Sequence, residues 1–344
     1  DQADFPETLD LVSARREFYT HPTALPTVER GNIKLDLHRR DFTINTLAMR
    51  LDGKFYGELH DHWGGRADLQ AGLVRVLHSL SFVDDPTRIL RAVRFEQRFG
   101  YQIEPRTEEL LKNALGLLDR VSGDRIRHEL EHMLREPAWE AMFNRMAELG
   151  VLSAIHPALP GDQAARQRIA AGQQMAAPEG WLPRTGRQEE HPLQPATIYI
   201  SWMIVLDPKA ARSAAQRLRL PGWIADQLQK AIELWQQRSE LAGKSPSQIV
   251  ALLDPIPYLS LLVCYHLADS EEIKTSISTY FTRWQTVQPQ TSGDDLRQKG
   301  LAPGPHYRQV LTSLRAAWLD GQINTPEEEQ ALLAELLAAL PADD

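Results

Sequence analysis

Cysteine is almost absent from this chain. The single residue, Cys264, lies in the apolar run YLSLLVCYHL, so an internal disulfide and a zinc site built on thiolates are both excluded. One thiol fits a reducing cytosol, and a cytoplasmic location is expected. Long hydrophobic runs are missing too. Nothing approaches the roughly 18 consecutive apolar residues of a membrane helix, no signal-peptide pattern is visible, and no membrane partner is expected. The eleven histidines show no metal spacing. Positive charge is in deficit. The net charge of −8 is opposite in sign to that of a basic nucleic-acid binder, although phosphate contacts need only a local basic strip. No segment repeats at a fixed period. The first residue is Asp1, not Met, and the chain reads as a piece of a longer or processed polypeptide.

What is present is ordinary for a globular protein: 344 residues with 42% apolar and 24% charged content, enough for two or three domains. Strand and helix signals mix up to about residue 82. LDLVSARREFY opens as a strand, NIKLDLH (32–38) alternates at period two as a half-buried strand does, Asp52-Gly53 suits a hairpin turn, and LVRVLH (73–78) is another short strand. DHWGGRADL is a glycine-bearing loop running into a helix. Beyond residue 83 the apolar spacing becomes helical. It predicts helices near 87–98, 106–120, 124–135, 138–149, 163–173, 195–205, 208–218, 222–240, 246–252, 256–268, 271–286, 305–319 and 326–340. The expected class is α+β: a small portion with a mixed sheet and helices, then a large all-α remainder. A doubly wound parallel sheet is not expected.

Two stretches are rich in chemistry. In SFVDDPTRILRAVRFEQRFG, arginines at 88, 91, 94 and 98 fall within an arc of about 120° on a helix, opposite Ile89, Leu90 and Val93. Asp85 sits before Pro86 near the N-cap. Asp85 and Arg88 are three apart and are expected to share a face. A carboxylate beside a guanidinium offers an acceptor and a donor in one plane, which matches the edge of cytosine or adenine. The bland alternatives are a solvated stripe and a plain salt bridge. In HRRDFTINTLAM, two arginines, a carboxylate and an amide suit a nucleoside triphosphate. Asp41 and Asn45 would share a face if the segment is helical. The alternative there is a helix cap at Asp41.

RRDFTINTLA, GELHDHWGGRADL and DDPTRILRAVRF, in this order and spacing, resemble the class II tRNA nucleotidyltransferase and poly(A) polymerase family of bacterial type. LDLVSARREFYTHPTALPTV, DRVSGDRIRHELEHML and SGDDLRQKGLAPGPHYRQVLTSLRAAWLDGQI add to the likeness. The resemblance is dense over residues 7–150 and returns over about 290–335. It implies addition of CMP and AMP to the 3′ end of tRNA, with release of pyrophosphate; REFYTHPTALPTV is similar to enzymes that add only the terminal A. It implies ATP and CTP as substrates and tRNA as partner. Arg40, Asp41 and Asn45 are placed by it at ribose and triphosphate, Asp85 and Arg88 at the base, and Arg91, Arg125 and Arg127 in or behind the same pocket. Pro303, Gly304, His306 and Arg308 fall in a tRNA-contacting tail. The implied division is a nucleotidyltransferase head (1–82), neck (83–150), body (151–290) and tail (291–344).

One departure bears on catalysis. The family's two-Mg²⁺ site rests on a Gly-Gly-x-Val-Arg-Asp loop and an Asp-x-Asp pair, and neither occurs in this chain. Asp10 stands where a third carboxylate can occur. One carboxylate cannot hold two ions, so the chain is expected to be catalytically incomplete, with the metal ligands upstream. Rival expectations are a poly(A) polymerase acting on other RNA, and a non-catalytic RNA-binding remnant. Oligomeric state is left open. Trp202, Trp223, Trp235 and Trp318 are expected in cores.

Overall fold

The computed structural model describes residues 10–18, 27–181, 193–299, 301 and 304–339. The chain packs as two units: Asp1–Arg166 with Ser213–Leu220, and Gln167–Arg212 with Pro221–Asp344.

The first unit opens with β1 (Arg15–Phe18) paired antiparallel to β2 (Thr27–Arg30), Arg15 opposite Arg30. Next comes α1 (Ile33–His38). This corrects the strand expected over 32–38. The Asn32 side chain accepts a hydrogen bond from the Leu35 N–H (2.9 Å), a local cap that a two-residue periodicity does not register. Only Asp36 and Leu37 of this helix are buried. β3 (Ala48–Met49) and β4 (Leu59–His60) form the expected hairpin, connected through a 3-10 turn over Gly53–Phe55. Gly53 has φ +46°, a left-handed conformation natural to glycine.

The glycine-bearing loop runs into α2 (Gly65–Ala71), as read from the sequence. Asp61 caps it, accepting from the N–H groups of Gly65 (2.8 Å) and Arg66 (3.1 Å). β5 (Leu73–Val74) pairs in parallel with β6 (Gln102–Ile103), a strand with no detectable sequence signal at two residues' length. Around that pair lie α3 (Ser81–Asp84), α4 (Arg88–Phe99), α5 (Pro105–Ala114), α6 (Gly123–Leu134), α7 (Trp139–Glu148) and α8 (Val151–Ile155). The back of α4 is apolar as expected: Ile89, Leu90 and Val93 are fully buried, in a core with Phe42, Phe82, Ile126 and Phe143. The architecture is α+β, with the described strands in three two-stranded sheets.

Helices α9 (Gln163–Gln174) and α11 (Pro208–Arg217) run across the unit boundaries, and α10 (Leu193–Met203) lies within the second unit. The second unit continues with α12 (Gly222–Gln237), α13 (Pro246–Leu253), α14 (Tyr258–Leu267), α15 (Glu271–Thr279), α16 (Gly293–Gln298), α17 (Pro305–Leu319) and α18 (Pro326–Ala338). Its core gathers Tyr199, Trp202, Leu228, Ile232 and Leu262. Cys264 is buried there, and burial pushes its thiol up to about 12, so it is an inert core residue. A smaller cluster of Leu296, Val310, Leu314 and Leu333 joins α16, α17 and α18. Among the described residues no single helix is long and apolar enough to cross a membrane.

Candidate functional site

The segment HRRDFTIN is built around a carboxylate that the sequence reading passed over. Asp36, on the short helix α1, accepts from the Arg15 N–H (3.1 Å), from Arg39 Nε (3.2 Å) and Nη2 (2.9 Å), and from Arg40 Nη2 (3.1 Å). Burial opposes its charge, but these donors outweigh burial and hold its pKa below the usual carboxylate value. Its signal in the sequence was the i, i+3 and i, i+4 spacing to two arginines. Arg40 keeps its Nε buried with no hydrogen-bond partner among the described residues.

Beyond Asp41 the chain makes a 3-10 turn over Thr43–Thr46, not an α-helix. Asp41 therefore neither caps a helix nor shares an α-helical face with Asn45, and both expectations are corrected. The reason lies in α2. Thr43 Oγ1 donates to Asp68 (2.6 Å), its N–H donates to the Arg75 carbonyl (2.9 Å), and Arg75 Nε donates to Asp68 (3.0 Å). A Cβ on Gly65 would meet the Thr43 carbonyl oxygen at 2.3 Å, so the turn packs onto α2 closer than any other residue permits. Asn45 is left with its Oδ1 buried and without a hydrogen-bond partner among the described residues. Among the described residues a buried acceptor and a buried donor, Asn45 Oδ1 and Arg40 Nε, thus remain unsatisfied in one short motif.

The second stretch departs from the expected geometry. Asp85 is extended (φ −141°, ψ 97°), and α4 begins only at Arg88. Asp85 and Arg88 therefore do not share a helical face, and although the Arg88 N–H donates to the Asp85 carbonyl (3.1 Å) their side chains are not paired with each other. Asp85 Oδ1 accepts from the Thr87 N–H (3.0 Å) and Oγ1 (2.7 Å), and both its oxygens accept from Arg125 Nη2 (2.8 and 2.9 Å). Arg88 turns inward, 6% exposed, and donates to Ser81 Oγ (2.6 Å) and to the Arg39 carbonyl (2.9 Å). The arginine front is not a solvated stripe either. Arg91 meets Asp41 Oδ2 through Nε (2.7 Å) and Nη2 (2.6 Å), and Arg94 meets Glu129 (3.1 Å). Burial disfavours the Arg91 charge, yet Asp41 and Glu129 more than offset this and raise its pKa.

These contacts assemble one cleft of about 460 Å³ between the start of α4 and the face of α6. Asp85, Arg91, Arg125 and Arg127 line it, joined by Thr87, Asp124, His128, Glu129 and Glu131. Arg127 pairs with Asp124 (3.0 Å) and donates to the carbonyls of Leu218 (3.4 Å) and Arg219. Gly123, at the start of α6, admits the Arg217 carbonyl so closely that a Cβ would lie 2.2 Å from it. Four of the arginines and acids read from sequence are therefore brought together, and Asp41 reaches the same cleft through Arg91. Arg88 stands behind it. Thr87 and Glu129 were missed because their role is to hold neighbours, which no local pattern displays.

The remaining predicted positions lie elsewhere. Asp10 is solvent-exposed, before β1. Among the described residues no group of three or more His, Cys, Asp or Glu is placed to hold a metal ion, so these side chains do not fit the Mg²⁺ pair implied by the resemblance. In the second unit Gly304 precedes α17, His306 is half-buried, and Arg308 is exposed; Arg308 lines a cavity of about 620 Å³ with Thr312 and Arg315. Pro303 lies outside the described residues.

Comparison with known proteins bears on this arrangement. Residues 3–75 match the poly A polymerase head domain, and residues 100–161 match a probable RNA and SrmB-binding site of polymerase A. The A-adding tRNA nucleotidyltransferase of Halalkalibacterium halodurans is 32% identical over 93% of this chain and 72% of its own length. The chain belongs to the tRNA nucleotidyltransferase and poly(A) polymerase family. The A-adding tRNA nucleotidyltransferase of Geobacter sulfurreducens is similar at 34% identity over 96% of the chain, but this family member spans only 39% of that relative's length. Among solved structures, a CCA-adding enzyme in apo form II superposes with a TM-score of 0.68 at 31% identity, covering 96% of this chain and 76% of the other. The Thermotoga maritima CCA-adding enzyme complexed with tRNA gives 0.60 at 31% identity, over 90% of this chain and 74% of the other.

Proposed function

We propose that this chain is the nucleotide-selecting and RNA-holding part of a template-independent tRNA nucleotidyltransferase, one that adds the terminal AMP to a tRNA 3′ end and releases pyrophosphate. The observation that carries the reading is the cleft where Asp85, Arg91, Arg125 and Arg127 meet, in a chain that A-adding relatives match over more than nine-tenths of its length. Structures of CCA-adding enzymes with ATP and with CTP share the fold, which supports nucleoside triphosphates as substrates.

In this reading Asp85 accepts the exocyclic amino proton of the incoming base, and Arg125 holds the carboxylate in place until the base arrives. Arg88 fixes the turn that presents Asp85, by tying Ser81 to the Arg39 carbonyl. Arg40 and Asn45 offer their unsatisfied donor and acceptor to triphosphate and ribose, with Asp41 orienting Arg91 beside them. Catalysis in such a site is chiefly positioning and charge stabilisation. Magnesium, implied by the resemblance, is assigned to residues other than those described. The sequence divides as head (1–82), neck (83–150), body (151–290) and tail (291–344), with Gly304, His306 and Arg308 offered to tRNA by shape and phosphate contact.

The test uses the full natural polypeptide with transcripts ending before CC, after CC and after CCA. Incorporation of one AMP on the CC-ended transcript, with no CMP on any, is expected. A ladder of adenylates on unrelated RNA favours the poly(A) polymerase reading. Tight tRNA binding without incorporation favours a non-catalytic module, and either result overturns the proposal.

A further inference from the structure

Helix α6 carries the run His128-Glu129-Leu130-Glu131-His132, two histidines one helical turn apart, which corrects the expectation that the histidines show no metal spacing. His128 and His132 are one turn apart on the exposed face, with their Nε2 atoms sharing a hydrogen bond at 2.9 Å and ring centroids 4.3 Å apart. Two imidazole nitrogens at ~2.0–2.1 Å from one ion are ~2.9 Å apart in right-angled positions and ~3.3 Å apart in tetrahedral ones. The separation suits the first arrangement once a metal displaces the proton shared by the two rings, and the second after a small opening. We propose that His128 and His132 form a two-histidine chelate for a divalent transition-metal ion of the nickel, copper or zinc class.

The surroundings narrow the chemistry. Imidazole nitrogens select these ions over magnesium. A His-Glu-x-x-His run on a helix is also the pattern of zinc proteases, in which the glutamate serves as base. That role is closed here. Glu129 is 8% exposed and its carboxylate is held by Arg94 (3.1 Å) and Arg91 (3.8 Å). Glu131 faces Arg127 (3.5 Å) and Arg135 (3.8 Å) instead of joining the pair. The remaining coordination positions are therefore open to water or to an anion. Because His128 also lines the cleft, an oxygen of a ligand bound there is within the site's reach. The inference does not depend on the nucleotide reading, since the metal alone is the probe.

The experiment is calorimetric titration of NiCl₂ and ZnCl₂ into the full natural polypeptide with any affinity tag removed. One saturable equivalent is expected, unaffected by excess MgCl₂. His128→Ala and His132→Ala are each expected to weaken it by more than roughly tenfold, since loss of a ligand's outer-shell partner alone costs about that much. Both rings are exposed, so the metal-free melting curve stays unchanged. As a check on unaltered protein, the Cu²⁺ electron paramagnetic resonance spectrum is expected to show coupling to two imidazole nitrogens. No saturable binding, unchanged affinity in both variants, or a spectrum with fewer than two nitrogens overturns the assignment.

Discussion

Arg88→Met separates two roles that the sequence alone runs together. The substitution keeps much of the stem and removes the guanidinium fork. In the structure that fork makes two short hydrogen bonds, to Ser81 Oγ (2.6 Å) and the Arg39 carbonyl (2.9 Å), and is 6% exposed. Hydrogen bonds from a charged donor contribute about 1.5–3 kcal/mol each, so the gross loss is roughly 3–6 kcal/mol. Relief of a buried charge with no carboxylate partner among the described residues offsets part of this, leaving a net destabilisation of about 3 kcal/mol. For a unit of this size each kcal/mol moves Tm by about 2–4 °C, so a drop of roughly 6–12 °C is expected. The assay pairs thermal unfolding with equilibrium binding of ATP and CTP in the full polypeptide. If Arg88 is a positioning residue, Tm falls and both nucleotides weaken together. A Tm within about 2 °C of the parent, combined with lost ATP-over-CTP preference, would refute this reasoning and make Arg88 a direct reader of the base.

Three further outcomes are expected. Asp85→Ala relaxes the choice between ATP and CTP while tRNA binding persists, read from incorporation with each nucleotide and from a gel-shift of tRNA; unchanged discrimination removes Asp85 from base selection. Asp36→Asn flattens the acid limb of stability. The folded-state pKa of Asp36 lies below the ordinary aspartate value of 3.8, so the stability it adds is full above that value and fades as pH falls through the folded-state pKa. Unfolding followed in urea at several acidic pH values gives a shallower slope in the variant, and equal slopes contradict the assignment. Glu329→Ala in the second unit leaves the N–H groups of Gln290 and Thr291 and the Trp318 indole without an acceptor they now reach at 2.9, 2.7 and 2.5 Å. Each buried donor left without an acceptor costs about 1–3 kcal/mol, so a loss of at least about 3 kcal/mol is expected, with a shift in tryptophan emission, and a parent-like melting curve would show that the contacts hold little.

Much of the candidate site was legible because its parts are local. The apolar back of α4 follows from the spacing of Ile89, Leu90 and Val93, and the limits of α17 follow from Pro305 and the apolar period behind it. The order of RRDFTIN, GGRADL and DDPTR was enough to assign a family. Short elements were harder. The strand Gln102–Ile103 and the helix Val151–Ile155 are too brief for a period to show, and at Asn32 a capping side chain overruled an alternating pattern.

The residue types, their spacing and the family were thus set by the sequence itself: arginine-rich stretches, an Asp-Pro junction and glycines where chains must approach closely. Which charge meets which was decided only in three dimensions. Asp85 lies nearer in sequence to Arg88 than to Arg125, yet it pairs with Arg125, because the extended backbone at Asp85 carries it off the helix and toward α6. Arg88 turns inward to satisfy a carbonyl 49 residues away. Sequence spacing describes neighbours along one helix, whereas ion pairs in a folded protein are set by the packing of separate elements and by the need to satisfy every buried polar group.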